Sequence, residues 1–310
     1  MPDGILLVDK PAGRTSHDIV LELRRRLGFS KIGHFGTLDP LATGLLIAAL
    51  GRATRLFPFF QRHDKTYEAR VRLGFSTDTY DALGKPTSPV SAALPEEEDV
   101  RTALERFRGV QDQVPPAYSA KKYKGRPLYE MARKSEPVPL KASTVVIHEL
   151  ALTAYNPPLV ELRVRCSAGT YVRSLAHDLG LALGCRAHLA GLVRTAVGPY
   201  TLDRCLTLDA LRATALAPSF GGDPAGLIPM EALLPEFPKL ILNENGARSA
   251  RNGNAVLPEH IGSAVPASLP APDPDRGEVL YRLFAPEGSL LALARRDPEK
   301  AVLRPVVVLS

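Results

Sequence analysis

Asp39 is the first candidate for chemistry, because it lies in the glycine-rich segment GHFGTLDPLATG, residues 33–44. Pro40 follows directly and disfavours helical dihedral angles at Asp39, while Gly36 and Gly44 permit tight turns and the close approach of another molecule. A carboxylate held on such a stiff loop can serve as a nucleophile or a base. The alternative is a turn aspartate that caps a helix starting at PLATG, and for this segment alone that structural role is favoured.

Tyr171 and Arg173 lie in a second candidate stretch, CSAGTYVRSLAHDLG (166–180), between an alternating strand and a helix. Two residues that are two positions apart in an extended chain point the same way. A guanidinium can receive a carboxylate through a charge-assisted fork, and a tyrosine can exchange a proton. The alternative is that Tyr171 packs in the core and Arg173 is a surface charge.

Tyr67 and a basic segment suggest a planar, acidic ligand. Tyr67 stands at the start of the strand-like run 65–74, where it is either a stacking platform or a core residue. Residues 114–134 mix tyrosines with basic side chains, a pattern that suits single-stranded or looped RNA. A solvated loop is the alternative reading of that segment. Its candidate RNA-binding residues are Lys121, Lys122, Lys124 and Arg126.

The composition narrows the class of protein. A net charge of +6 and a pI near 9.3 favour an acidic partner such as nucleic acid. Three cysteines without a CxxC pair indicate a reducing, cytoplasmic compartment. No apolar run has the length of a membrane span, and the first residues do not form a signal peptide. The histidines and cysteines lack zinc spacing, so we expect no metal site.

The secondary structure that must position these residues can be predicted in part from the sequence. The periodicity predicts a strand at 4–11, a helix at 15–28 capped by Thr15, and a strand at 65–74. The apolar run at 45–50 is compatible with a strand or a helix. A Pro/Gly-rich linker at 217–226 separates a mixed α+β body from a small all-β module.

Seven motifs in this order resemble the B-type pseudouridine synthase family, whose bacterial members act on uridine 55 of tRNA. The resemblance runs from residue 4 to about residue 200. The motifs are GILLVDKPAGRTSHDIV, KIGHFGTLDPLATGLL, KTYEA, GFSTDTYDALGK, QVPPAYSAKKYKGRPLYEMAR, SAGTYVRSLAHDLG and AHLAGLVRT.

This resemblance implies a catalytic set. Asp39 falls on the essential aspartate of the family, Arg173 on the arginine that pairs with it, and Tyr171 on the tyrosine beside the target base. We expect the Arg173 charge to lower the pKa of Asp39 and keep it ionised. The reaction breaks the N1–C1′ bond, turns the base and rejoins it through C5, so we expect no cofactor.

The resemblance also implies substrate-binding residues. Tyr67 falls on the residue that stacks on the base, and His34 on the histidine that wedges into the RNA loop. Leu192 falls on an apolar pocket residue, and Lys10 belongs to the DKP motif near the site. The expected partner is the T-arm of tRNA, without an obligate protein partner.

The fold implied is a mixed, largely antiparallel α+β catalytic domain with flanking helices, at 1–226, and a PUA-like β-barrel at 227–310. Residues 114–134 would form a thumb-like RNA-binding segment. Two positions depart from the family pattern: Phe35 replaces a small residue, and Val193 replaces the first of two arginines. The Pro-rich stretch 264–277 has the character of an insertion.

Three rival functions remain open at this point. The chain could be a non-catalytic tRNA-binding folding chaperone on the same scaffold. It could be the related catalytic subunit of guide-RNA pseudouridylation complexes, which needs protein partners. It could also be a glycosidase of free nucleosides, which the basic segment disfavours.

Overall fold

The structure is a computed structural model that describes residues 2–119, 122–123, 125–134, 136–138, 140–213, 226–262, 280–297, 300 and 302–310. Lys121, Lys124 and most of the linker predicted at 217–226 lie outside the described residues. The Pro-rich stretch 264–277 lies outside them as well.

The strands of the described chain form one large sheet, one small sheet and a short hairpin. In chain order they are β1 (Gly4–Lys10), β2 (Ile32–Phe35), β3 (Thr43–Leu50), β4 (Lys65–Leu73), β5 (Gly109–Gln113), β6 (Lys122–Tyr123), β7 (Arg126–Pro127), β8 (Ser143–Asn156), β9 (Leu159–Cys166), β10 (Ala187–Val197), β11 (Tyr200–Thr201), β12 (Leu206–Thr207), β13 (Ile228–Pro229), β14 (Lys239–Ile241), β15 (Leu280–Phe284), β16 (Leu290–Arg296) and β17 (Leu303–Val308).

The helices are mostly short and lie between the strands in sequence. They are α1 (Ser16–Leu27), α2 (Phe57–Gln61), α3 (Glu97–Glu105), α4 (Leu128–Arg133), α5 (Val172–Ala182), α6 (Leu208–Ala213) and α7 (Glu244–Arg251). Helix α1 confirms its prediction, since the Thr15 side chain accepts from the Asp18 N–H in a capping box and Gly28 ends the helix.

The large sheet has the strand order β12-β1-β3-β10-β4-β9-β8-β5, with β2 on β3, β11 on β10 and β13 on β1. Only the pairs β1–β12 and β3–β10 are parallel, so the described sheet is mixed and largely antiparallel, as predicted. The two central strands β3 and β10 run side by side for two residue pairs, Val193 with Thr43 and Arg194 with Gly44. This contact brings the segment before β3 next to the middle of β10.

Both faces of β1 and β3 are buried, and this explains why the sequence at 45–50 was compatible with either a strand or a helix. Leu46 and Ala48 pack in one core with helices α1, α3 and α5. Leu45 and Ile47 point the other way, into a second core. A strand covered on both faces reads as a continuous apolar run rather than an alternating one, and the run forms β3.

The small sheet has the order β14-β15-β16-β17 and does not close into a barrel within the described residues. The prediction of an all-β module is wrong, because α7 lies between β14 and β15. Asn243 caps α7 by accepting from the Gly246 N–H, and Ala247 and Ala250 are buried against the sheet. The asparagine, glycine and serine residues of α7 have low helix propensity, so the sequence does not predict this helix.

The small sheet shares a hydrophobic core with the large one. Leu290 and Leu293 of β16 pack in the same cluster as Leu45 and Ile47 of β3. After Gly226 the chain first adds β13 to β1 and only later enters the small sheet at Lys239. The domain boundary at 226/227 therefore stays a prediction.

Candidate active site

A cavity of about 610 Å³ brings together five of the predicted site residues. They come from the segment before β3, from β4, from the start of α5 and from β10. The lining includes Asp39, Tyr67, Tyr171, Arg173, Leu192 and Arg194. Two of the predicted substrate-binding residues, Lys10 and His34, are not among the residues that line this cavity.

The Asp39 carboxylate is held by Arg173, not by a helix terminus. Arg173 Nη2 donates to Asp39 Oδ1 at 3.1 Å, and Arg173 Nε lies 2.8 Å from Oδ2 without hydrogen-bond alignment. No helix follows Asp39 before β3 begins at Thr43. The capping alternative is thus wrong, and the predicted aspartate–arginine pair is present.

Arg173 is itself fixed by the loops around it. Its side chain is 5% exposed, and it donates from Nη1 to Thr79 O at 3.0 Å and from Nη2 to Tyr118 O at 2.9 Å. The Asp81 carboxylate lies 3.7 Å from Nε. The guanidinium therefore has few rotameric alternatives and keeps its Nε–Nη2 edge toward Asp39.

Burial raises the pKa of Asp39 above its ordinary value. The positive charge of Arg173 opposes this rise, and the negative charge of Asp81 adds to it. Arg173 does lower the pKa of Asp39, as expected, but the pKa is raised overall because the loss of solvation outweighs the ion pair.

The segment that carries Asp39 is fastened from the side of α1. Ser16 Oγ accepts from the Leu38 N–H at 2.9 Å and donates to Leu38 O at 3.2 Å. The Gly13 N–H donates to Pro40 O at 2.8 Å. The residues on either side of Asp39 are therefore held by backbone and side-chain hydrogen bonds.

Tyr67 forms part of the cavity wall with its phenol pointing at Arg194. Tyr67 is 8% exposed, and burial raises its pKa to about 12. The hydrogen bond and the positive charge of Arg194 oppose that rise. The ring is positioned as a rigid planar surface.

Tyr171 lies at the N-cap of α5 and is fastened through its backbone. Its N–H donates to Gln113 Oε1 at 2.7 Å, and its carbonyl accepts from Gln113 Nε2 at 3.0 Å. Burial raises the pKa of Tyr171, and the nearby Ser119 hydroxyl and Arg173 charge oppose the rise. Tyr171 is therefore a neutral phenol at neutral pH.

Lys10 and His34 are both largely buried outside the lining of the cavity. Lys10 is fully buried and donates to Pro11 O at 2.9 Å and Arg14 O at 2.7 Å; burial lowers its pKa to about 8. It supports the loop whose Gly13 holds Pro40. Burial lowers the pKa of His34, and its Nδ1 has no hydrogen-bond partner among the described residues.

The thumb-like segment is only partly described. Arg126 is exposed in β7 and its Nη2 lies 3.3 Å from Glu136 Oε1. Lys122 lies in β6. The root of the segment is tied to α5, because Ser174 Oγ donates to Val114 O at 2.7 Å and Arg173 donates to Tyr118 O.

The two departures from the family pattern have different settings. Phe35 is buried, lines the cavity and packs on Phe60 with ring centroids 4.5 Å apart. Val193 faces away from the cavity, toward a second pocket that Lys10 and Arg14 also line.

Sequence reasoning missed several residues of the site: Asp81, Gln113, Ser119, Lys65 and Arg194. For Arg194 a signal existed, because it lies two positions after Leu192 on one strand and so shares its face. Buried Lys65 also lines the cavity; burial lowers its pKa to about 8, and it donates to Gln61 O and His63 O.

Two kinds of feature are absent from the described part of the chain. No three His, Cys, Asp or Glu side chains in that part of the chain are grouped so as to hold a metal ion. None of the helices described there is both long enough and apolar enough to cross a membrane.

Comparison with solved structures gives the same fold. The chain superposes on a crystal structure of a Cbf5–Nop10–Gar1 complex with a TM-score of 0.73 and 24% identity, covering 99% of this chain and 85% of that one. At this identity the likeness supports the fold alone.

Comparison with known sequences identifies the family. A tRNA pseudouridine synthase B of Solibacter usitatus is 47% identical over 251 residues, 81% of this chain and 85% of the relative. A tRNA pseudouridine synthase B of Thermobifida fusca is 41% identical over 318 residues, 100% of this chain and 99% of the relative. Residues 24–172 match the TruB family pseudouridylate synthase N-terminal domain, and residues 173–234 match the tRNA pseudouridylate synthase B C-terminal domain. With its site geometry, its fold and these matches together, the chain belongs to the TruB family of pseudouridylate synthases.

Proposed function

We propose that this chain isomerises uridine 55 in the T-loop of tRNA to pseudouridine, with Asp39 as its essential carboxylate. The family supports uridine isomerisation in tRNA. The observation that carries the residue assignment is the Asp39–Arg173 pair, which faces a cavity walled by Tyr67, Tyr171 and Leu192.

The target uridine must leave its stack, because its glycosidic bond is out of reach inside a folded loop. Flipping a base costs a few kcal/mol. Stacking on Tyr67 offsets part of this cost, with Leu192 against the ring edge and His34 filling the vacated space. Lys121, Lys122, Lys124 and Arg126 supply phosphate contacts whose strength falls with salt concentration.

Asp39 acts in its ionised form on the N1–C1′ bond. It attacks C1′, attacks the base, or removes the C2′ proton, and each route releases the base with the electron pair of the broken bond. The base turns in the cavity and C5 forms a bond to C1′. In the same stage Asp39 becomes a free carboxylate again, because its bond to C1′ or to the base breaks or because it returns the proton to C2′. The proton on C5 then leaves through Tyr171, which releases its own hydroxyl proton to water, and N1 takes a proton from water, so the product is an isomer of the substrate.

The Asp39→Asn variant tests this assignment. It keeps the shape of the side chain but removes the charge, so we expect tRNA binding to persist and pseudouridine formation to be abolished. The measurement is release of tritium from [5-³H]uridine in tRNA, with Asp112→Asn as a control on the exposed surface. Tritium release by Asp39→Asn at the wild-type rate would contradict the mechanism.

We also propose that the chain works in the cytoplasm without an obligate protein partner and that the tail serves as a PUA-like RNA-binding module. Incubation of the purified protein alone with a T-arm hairpin tests whether a protein partner is needed. Pseudouridine in that hairpin supports a stand-alone enzyme. Binding of the hairpin without pseudouridine formation would support a folding chaperone. Activity only with a guide RNA and further proteins would support the catalytic subunit of a guide-RNA pseudouridylation complex.

A further inference from the structure

Arg194 is a buried cation whose bonding partners are oxygens of the active-site walls. Its side chain is 1% exposed. Nε donates to Leu45 O at 2.8 Å and Nη2 donates to Gly36 O at 3.0 Å, with Nη1 3.5 Å from Thr37 O. The Tyr67 hydroxyl also accepts a hydrogen bond from it.

These partners bracket Asp39 in the chain. Gly36 and Thr37 come just before it and Leu45 comes shortly after, so one guanidinium ties both ends of the segment together. The packing is close: a Cβ at Gly36 would lie 3.3 Å from Arg194 Nη1, and a Cβ at Gly44 would lie 2.5 Å from Arg194 O. The positive φ of 83° at Gly36 and 93° at Gly44 also favours glycine.

No carboxylate neutralises this guanidinium in the described part of the chain, since its partners there are three carbonyls and a phenol. A buried charge without an ion-pair partner is costly and persists where its hydrogen bonds are satisfied. Its field reaches the site, because it contributes to lowering the pKa of Lys65 and His34.

We propose that Arg194 is a positioning residue of the reaction: it fixes the Asp39 segment and the Tyr67 ring in one relative geometry. This inference rests on the proposed function. Arg194 spans the distance between β4 and the Asp39 segment with a planar fork, which the single ammonium of a lysine cannot reproduce.

The test is Arg194→Lys in the full chain, assayed by single-turnover pseudouridine formation on a tRNA transcript. Displacement of a reacting group by 1 Å costs about 100-fold in rate, so we expect a loss of about that size with an unchanged Kd for tRNA. A wild-type rate in Arg194→Lys would overturn the inference. Failure of the wild-type protein to form pseudouridine would instead overturn the proposed function.

Arg282 offers a matched control elsewhere in the fold. It too lies on a strand and donates to three backbone carbonyls, Phe237 O at 2.9 Å, Leu233 O at 3.1 Å and Glu231 O at 3.4 Å. Arg282→Lys removes a comparable set of hydrogen bonds in the small sheet and not in the Asp39 segment. We therefore expect a lower Tm and an unchanged single-turnover rate. Equal rate losses in the two variants would mean that Arg194 acts only through general stability.

Chemical rescue provides a second measurement that does not depend on the lysine variant folding. Arg194→Ala is prepared and assayed with methylguanidinium present throughout, and we expect the rate to rise with its concentration to saturation. The same additive should leave Arg282→Ala turnover unchanged. Absence of recovery in Arg194→Ala would overturn the positioning role.

Discussion

At the scale of single residues, the surroundings of Asp39 disfavour the ionised form that the reaction needs. Its carboxylate opens to the cavity, with 37% of the side chain exposed, while the packed protein raises its pKa. Arg173 favours the ionised form and Asp81 disfavours it. Asp39 must lose its proton before it acts, so the rate of the reaction should rise with pH through the raised pKa of Asp39.

Replacing Asp81 by asparagine should shift that dependence. The change removes a negative charge that raises the pKa of Asp39, so this pKa falls and the acidic limb of kcat/KM moves to lower pH. The asparagine oxygen can still accept from Thr79 Oγ1 and the Leu83 N–H. A pH profile of kcat/KM checks this, and a limb that moves to higher pH would refute it.

Tyr67 allows stacking to be separated from hydrogen bonding. Tyr67→Leu removes the ring, and base stacking on an aromatic side chain is worth about 1–3 kcal/mol. Tyr67→Phe keeps the ring and loses only the contact to Arg194, so we expect it to cost less. Single-turnover rates and Kd for tRNA compare the two, and equal losses would assign the effect to the hydroxyl.

The pairing of Asp39 with Arg173 could be predicted because both residues lie in motifs that resemble those of a known family; the two segments read alone favoured a capping aspartate and a surface arginine. The raised pKa of Asp39 could not, since it depends on how tightly distant segments pack around the carboxylate. Arg194 is an intermediate case: its face follows from Leu192 on β10, but its carbonyl partners in the Asp39 segment become visible only in three dimensions.

The start of α5 and the root of the thumb-like segment behave as one unit at the scale of elements. Gln113 makes two hydrogen bonds to the Tyr171 backbone, and Tyr118 O accepts from Arg173. We expect RNA bound to residues 114–134, the segment proposed to contact RNA, to act on the same contacts that orient Tyr171 and Arg173. Substrate docking would then be coupled to the geometry of the site.

Gln113→Ala should weaken that coupling. It removes both hydrogen bonds to Tyr171, so we expect kcat to fall by about 10- to 100-fold through misplacement of α5. Gln111→Ala is the control, because Gln111 lies on the same strand but donates to Phe107 O. Steady-state kinetics on tRNA compare the variants, and equal kcat values would rule out the coupling.

Elements with a clear period were predictable, and elements decided by tertiary packing were not. Helix α1 has a capping box and a stop signal. The run that forms β3 has no period because both of its faces are covered, one by helices and one by the small sheet. Helix α7 depends on burial of Ala247 and Ala250 rather than on propensity.

The two sheets are joined by more than a linker at the scale of the whole molecule. Besides the shared core, Arg55 Nη1 donates to Val308 O at 2.7 Å, and His63 Nε2 lies 3.1 Å from Glu236 Oε1. The small sheet thus covers the face of the large sheet opposite α1, α3 and α5.

Leu293→Ala should therefore destabilise the whole chain. Leu293 is fully buried in the shared core, and truncation of a buried leucine costs about 2–5 kcal/mol. We expect urea unfolding to remain one transition, with a lower midpoint that is the same by far-UV circular dichroism and by loss of activity. A second, separate transition would mean that the tail folds independently.

Strand β1 also has a consequence for how the chain matures. One edge pairs with β3 nearby in sequence, but the other edge pairs with residues 206–207 and 228–229. At a synthesis rate of 5–20 residues per second, this edge waits about 10–40 s for its partners on the ribosome. An open apolar strand edge is prone to pairing with other chains. We therefore expect the nascent protein to depend on protection from aggregation until residues 206–229 have been synthesised.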